Sequence, residues 1–427
     1  MTRDRGSLRH VFGYRCMLCG AHYDLGEIDY VCPLHGDAGI VDVCYDYDLL
    51  RAHVDREGLR GADMWRYRAL LPVESASPVP PLRVGGTPLY AVPRLAGALQ
   101  ERTGRSLAHL WVKDDGLNPT ASFKDRASAM AVVKARELGA TTITTASTGN
   151  AAAALAGLTA SVGLPAVIFV PRSAPAAKIA QHLIYGARVF LVDGSYDDAF
   201  DLTLQVAREF GWYNRNTAYN PYMTEGKKTC AYEIAEQLAW QVPDTVFVPV
   251  GDGCIIGGIH KGFKDLLALG WIDHLPRLIG VQSEGSAALV DAFDRGLEAA
   301  EMVSQPAHTV ADSISAGLPR DRAKALAAVR ETGGRFIAVP DAEILEAIAT
   351  VARTTGVFCE PAAAAAYAGL VKATTRGWVD PQERVVLLLT GSGLKDIPSA
   401  MRVVPEPPII TATLDAVSAA LARTNTP

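Results

Sequence analysis

The residue of this 427-residue chain best placed for covalent chemistry is Lys124, in "DDGLNPTASFKDRASAM" at 114–130. It stands in a Pro, Thr, Ser and Phe cluster where a loop turns into an expected helix, and a solvated surface lysine needs no such setting. Three further stretches each follow a run of strand-forming residues, where open α/β sheets place their ligands. "ASTGNAAAA" offers Ser147, Thr148 and Gly149 as a turn, then Asn150, whose amide can bond a phenolate-type oxygen. "VPVGDGCIIGGIHKGF" carries Gly251, Asp252, Gly253, Cys254 and Ile255 into a helix start. Free N–H groups there can hold a phosphate. "LLLTGSGLKD" presents the hydroxyl of Thr390.

A lysine, a phosphate cradle, an amide and a hydroxyl at one sheet edge point to pyridoxal phosphate. Its aldehyde forms an imine with a lysine, and it then acts as the electron sink for amino-acid chemistry. The turn alone leaves a second reading open, an NAD(P)-binding oxidoreductase with Glu284 as the ribose-binding acid. A third treats the chain as a non-enzymatic scaffold, against which the joint presence of Lys124, Asn150 and Thr390 argues.

The front of the chain holds a different pattern. Cys16 and Cys19 form a C-x2-C pair, and Cys32 with His35 repeats the spacing. Together they suit a tetrahedral, structural zinc ion that staples a region too small for its own core. Cys44 is an alternative to His35 as fourth ligand, and buried cysteines beside a surface histidine are the metal-free reading.

From about residue 105 onwards, apolar runs alternate with Ala-rich helical stretches, the signature of α/β architecture. Strands are expected at 141–147, 166–171, 188–194, 245–251, 277–285 and 384–391. Being apolar on both faces, they fit a parallel sheet covered by helices. "YDDAFDLTLQVAREFG" and "DAEILEAIATVARTTG" read as amphipathic helices ending in Gly. The Pro/Ser-rich 71–86 stretch reads as a linker or arm.

A net charge of −5 with 20% charged residues leaves no basic footprint for nucleic acid. The N-terminus lacks the apolar core of a secretory signal. The uncharged run at 151–171 is interrupted by Thr159, Ser161, Gly163 and Pro165, which predicts a buried helix and strand rather than a membrane span. Seven cysteines suit a reducing, cytoplasmic setting.

"NPTASFKDR" resembles the N-P-T-G-S-F-K-D-R signature of threonine synthase and its relatives, pyridoxal-phosphate enzymes of fold type II (tryptophan synthase β-like). The likeness continues in order through "CGAHYDL", "YVCPLHG", "VCYDYDLL", "MWRYRALLPV", "GGTPLY", "ASTGN", "NPYMTEGKKTCAYEI", "VPVGDGCIIGGIHKGF", "FCEPAAAAAYAGL" and "TGSGLKD". It implies two open parallel-sheet domains behind a zinc-ribbon-like segment. These are 1–60 for the ribbon, 61–115 with 225–427 for the larger cofactor-binding domain, and 116–224 for the smaller one.

The resemblance also implies roles. Lys124 is the imine-forming residue and the acid/base for the α-proton. Asn150 bonds the ring oxygen, the backbone of Gly251 to Ile255 takes the phosphate, and Thr390 faces the pyridine nitrogen. A hydroxyl there favours elimination and replacement over transamination. Ser122 and Asp125 shape the lysine loop, and the turn from Ser147 through Thr148 and Gly149 to Asn150 holds the substrate carboxylate. A homodimer is implied as well.

Departures fall where the substrate is read. Met223 stands where threonine synthases carry an arginine, Ser392 replaces a histidine, and Ala151 replaces a threonine. Asp252 and Ile255 replace two asparagines, and an aspartate near a phosphate must point away or pair with a cation such as His260 or Lys261. Lys227, Lys228 and Arg215 are the cations available to compensate for Met223. The expected activity is elimination or replacement at the β or γ carbon of a small, optionally O-phosphorylated amino acid. A threonine/serine dehydratase-type lyase is the alternative.

Overall fold

The structure, a computed structural model, describes residues 10–147, 149–172, 174 and 176–424. Antiparallel β1 (Val11–Cys16), β2 (His22–Asp24) and β3 (Val41–Tyr45) form a front ribbon in the order β2-β1-β3. The chain then lays down β4 (Leu89–Ala91) and β5 (His109–Asp114). It leaves for β6 (Ile143–Ala146), β7 (Ala166–Pro171), β8 (Arg188–Val192) and β9 (Tyr213–Asn214). It returns for β10 (Thr245–Pro249), β11 (Arg277–Ser283), β12 (Arg335–Val339) and β13 (Arg384–Leu389).

The second group forms a four-stranded parallel sheet ordered β8-β7-β6-β9. The rest form a six-stranded sheet ordered β12-β11-β10-β13-β5-β4, parallel except at its β4 edge. All six expected strands are present, each with its ends within about two residues of the apolar run. Their two-sided apolar character follows from burial on both faces. Val246 and Val248 of β10 enter one core, while Phe247 enters the core on the opposite face.

Both expected amphipathic helices form. Ser195 caps Tyr196–Phe210, its hydroxyl accepting from the Asp198 N–H at 3.1 Å while the Asp198 carboxylate accepts from the Ser195 N–H at 2.7 Å. Gly211 and Gly356 end their helices at φ 65° and 78°, a conformation costly for other residues. The uncharged run folds as helix Asn150–Ala160 followed by β7, and no helix among the described residues is long and apolar enough to cross a membrane.

Two central helices, Lys124–Glu137 and Tyr222–Gln237, pack against each other. The second is buried along almost its whole length, and most of its charged residues are paired inside the protein. Glu225 and Asp265 each lie 2.7 Å from Lys228. Lys261 and Lys324 reach Asp42 on β3 at 3.1 and 3.0 Å. These buried pairs dock the front ribbon onto the body. The 71–86 stretch is an arm rather than a free linker, since Leu71, Val73 and Val84 are buried and the Gly85 N–H donates to Asn118 Oδ1 at 2.8 Å.

Candidate active site

Lys124 begins its helix where the end of β13 meets the preceding loop. The Phe123 N–H donates to the Thr390 carbonyl at 2.8 Å, the Ser392 N–H to the Ala121 carbonyl at 3.1 Å, and Ser122 bridges Gly391. These bonds hold Ala121 at φ +64°, a conformation that a residue with a Cβ adopts only under constraint. Asp125 closes the loop from the helix side, accepting from the Thr120 N–H at 2.8 Å and hydroxyl at 2.6 Å. Burial raises the Asp125 carboxyl to about 6. The Lys124 ammonium is pushed below its ordinary range by burial, with Glu360 pulling the other way. Burial thus favours the free-base amine, the form that can act as a nucleophile.

Asn150 opens its helix just beyond β6. Its Nδ2 donates to Glu360 Oε1 at 2.7 Å and to the Ser313 hydroxyl at 3.3 Å, and its Oδ1 is buried with no hydrogen-bond partner among the described residues. Glu360 precedes the Pro361–Thr375 helix, and its N–H donates to the Gly391 carbonyl at 3.0 Å, beside Thr390. Burial raises its carboxyl. Glu360 is a site residue that reasoning from sequence missed. The available signal was a carboxylate directly ahead of "PAAAAAYAGL", the only charge at the head of a wholly apolar buried helix start.

Beyond β10, Gly251, Asp252 and Gly253 turn into the Cys254–Ala268 helix. Gly253 has φ +91°, and a Cβ on Gly251 would stand 2.8 Å from Ile314 Cα, so both positions require glycine. Cys254 and Ile255 are the first two helical residues, leaving their N–H groups without helical acceptors. The expected cation partners of Asp252 are otherwise engaged. His260 faces Glu331 at 3.2 Å and Lys261 faces Asp42 at 3.1 Å. Asp252 Oδ1 instead accepts from the Arg320 N–H at 3.1 Å, which a sequence cannot foretell because Arg320 lies 68 residues on.

The Ser147 hydroxyl accepts from the Gly149 N–H at 3.2 Å, and the Gly149 carbonyl contacts the buried His182 ring at 3.2 Å. Burial lowers His182 to about 4, so it is neutral at pH 7. Thr148 lies outside the described residues. Ala151 is half-buried, and Met223 is fully buried in the apolar core. Glu284, the ribose acid of the NAD(P) reading, pairs with Lys372 at 3.1 Å.

The family model of pyridoxal-phosphate dependent enzymes matches residues 81–391, which contain every site residue above. The chain belongs to that family. Within it, the chain is 42% identical to a threonine synthase of Methanocaldococcus jannaschii over 396 residues, covering 92% of this chain and 95% of the relative. It is 41% identical to a threonine synthase of Methanosarcina acetivorans over 412 residues, covering 96% and 99%. The solved structure of the processed form of threonine deaminase isoform 2 from Solanum lycopersicum superposes with TM-score 0.61 at 25% identity, over 74% of this chain and 87% of that one. This pyridoxal-phosphate dependent enzyme is therefore threonine synthase-like and of fold type II, and the NAD(P) reading falls.

The residues present fit the cofactor. A lysine in no ion pair among the described residues, the buried amide N–H donors of Asn150 and a glycine turn at a helix start are what an aldehyde, a ring oxygen and a phosphate require.

A second constellation lies in the front ribbon. One ligand atom from each of Cys16, Cys19, Cys32 and His35 falls within 4.8 Å of the others. Cys44 is not among them, its thiol facing the Asp42 carbonyl at 3.9 Å. The geometry groups His35, not Cys44, with the three thiols.

Proposed function

We propose that the chain eliminates or replaces a group at the β or γ carbon of a small amino acid, with the threonine synthase reaction as first reading. The observation that carries this is the meeting of Lys124, Asn150, Glu360, Thr390 and the Gly251–Ile255 turn at the ends of β6, β10 and β13. The cofactor, when bound, supplies an aldehyde and an electron sink. The free Lys124 amine takes the proton from the substrate α-carbon and returns it. Asn150 would bond its ring oxygen, Thr390 would meet its ring nitrogen, and the N–H groups of Gly251, Asp252, Gly253, Cys254 and Ile255 would bind its phosphate. The Ser147–Asn150 turn orients the substrate carboxylate on backbone amides. Threonine/serine dehydratase-type β-elimination is the second reading, favoured by Met223 in place of an arginine and by the likeness to a threonine deaminase.

The test is a direct assay. Incubation with O-phosphohomoserine should release inorganic phosphate and form threonine, whereas the second reading forms 2-oxobutyrate from threonine. A protein that does neither, and shows no spectral shift with serine, threonine or their O-phospho and O-acyl derivatives, sinks both.

The same reading assigns a structural zinc to Cys16, Cys19, Cys32 and His35, supported by their clustering. Metal analysis should find about one zinc per chain, and Cys32→Ser should lose it and lower the unfolding temperature. Equal zinc content in the variant would count against the site. The reading also places the ribbon at 1–60, the cofactor domain at 61–115 with 225–427, and the smaller domain at 116–224, in agreement with which strands share a sheet. A cytoplasmic homodimer completes it, the location supported by seven free cysteines and the dimer by family resemblance.

A further inference from the structure

We propose that Arg215 and Lys227 form an anion subsite next to the glycine turn, built for a phosphate-like dianion on the substrate. This rests on the reading that the Lys124 cleft accepts an amino acid. Arg215 directly follows β9, and its N–H donates to the Thr144 carbonyl at 2.9 Å, so its backbone is pinned at the sheet edge. The side chain is 1% exposed. Its Nε donates to the Ser128 hydroxyl at 3.1 Å, while Nη2 is buried with no hydrogen-bond partner among the described residues. Lys227 is likewise 1% exposed, and among the described residues its Nζ reaches only the Thr217 hydroxyl, at 3.3 Å. That hydroxyl lies 3.0 Å from the thiol of Cys254, the first residue of the helix that the glycine turn opens. Lys227, Thr217 and Cys254 thus make a continuous line to the turn.

The neighbouring buried cations are paired. Lys228 is held by Glu225 and Asp265, Lys261 and Lys324 by Asp42, and Lys113 and Arg126 by Glu233. Among the described residues, Arg215 and Lys227 take part in no ion pair. A buried cation with no anion is among the costliest groups a core can hold, and the fold keeps two together. Burial lowers Lys227 to about 8 and Arg215 to about 10, and Arg215 and Lys124 both add to the depression at Lys227. The nearby acids are turned to other tasks or left protonatable. Asp125 caps Thr120, Asp252 takes the Arg320 N–H, and burial raises the Asp321 carboxyl against the pull of Lys324 and Lys227. An arginine fork, an ammonium and a hydroxyl together match a tetrahedral dianion.

The cofactor has its own phosphate, and the experiment separates the two sources. Inorganic phosphate is titrated into holoenzyme and apoenzyme by calorimetry, with wild type, Lys227→Met and Arg215→Met compared. Wild-type holoenzyme should bind phosphate in competition with substrate, and each variant should bind it more weakly by about tenfold or more. Cofactor content should be unchanged. In phosphate-free buffer Lys227→Met should unfold at the same or a higher temperature, because methionine removes an uncompensated charge; a lysine of purely structural value would give a lower one. Phosphate binding that is equal in all three proteins overturns the subsite. So does binding confined to the apoenzyme, which would give the pair to the cofactor. Holoenzyme that turns over amino acids yet fails these tests sinks the subsite alone, whereas holoenzyme that turns over none sinks the functional reading beneath it.

Discussion

Lys124→Ala gives a folded protein that fixes no cofactor on borohydride treatment and loses turnover by at least about 10²–10⁴-fold, the span contributed by a positioned proton-transfer group. The loop around it is held by other groups, namely the Thr390 and Ala121 carbonyls and the Asp125 carboxylate. Nothing in that set is lost with the lysine. The variant also sheds a buried amine whose desolvation no ion pair among the described residues offsets, so its unfolding temperature should not fall. Mass measurement of the reduced chain and a visible spectrum after dialysis check the result. A variant that keeps both the mass increment and the absorption band excludes Lys124 as the attachment point.

Glu233→Ala should destabilise the protein by about 3–5 kcal/mol, the usual cost of stranding a buried charge. Glu233 is where three elements meet. Arg126 donates to it at 2.6 and 2.7 Å, Lys113 on β5 at 2.6 Å, and the Gly86 N–H at 2.8 Å. Removing the carboxylate leaves Arg126 with Asp115, which it contacts at 2.7 and 2.9 Å, and leaves Lys113 with no ion pair among the described residues. Arg126 lies two residues beyond Lys124, so turnover should fall with stability.

Acid sensitivity gives an independent check on Glu233. Burial alone would raise its carboxyl, but Arg126 and Lys113 override it and hold the group well below the usual carboxylate range. A depressed folded value means that the stabilisation is present above the unfolded value of about 4.3 and is lost as pH falls below it. Denaturant unfolding of wild type between about pH 5 and pH 2 should therefore show a steeper loss than Glu233→Ala. Parallel slopes would show that the carboxylate contributes little.

Reading along the chain singles out Lys124, the glycine turn, the Ser147–Asn150 turn and Thr390 as candidates, because each follows an apolar run at a spacing visible locally. The six strands and the two Gly-capped helices were legible for the same reason, since periodicity and capping are short-range properties. β5 was not anticipated. Its "HLWVKD" contains Lys113, a charge that reads as surface until its partner, 120 residues away, is known. Glu360 escaped notice because its meaning lies in Asn150, 210 residues distant.

What the sequence determined by itself was therefore the kind of chemistry and the order of the elements, both encoded in neighbouring residues. Tertiary structure alone decided which charges are compensated. It gave Asp252 to the backbone of Arg320, grouped His35 rather than Cys44 with the thiols, and left Arg215 and Lys227 without a carboxylate. The physical reason is that the free energy of a buried charge depends on groups brought near it through space, and no local pattern records them.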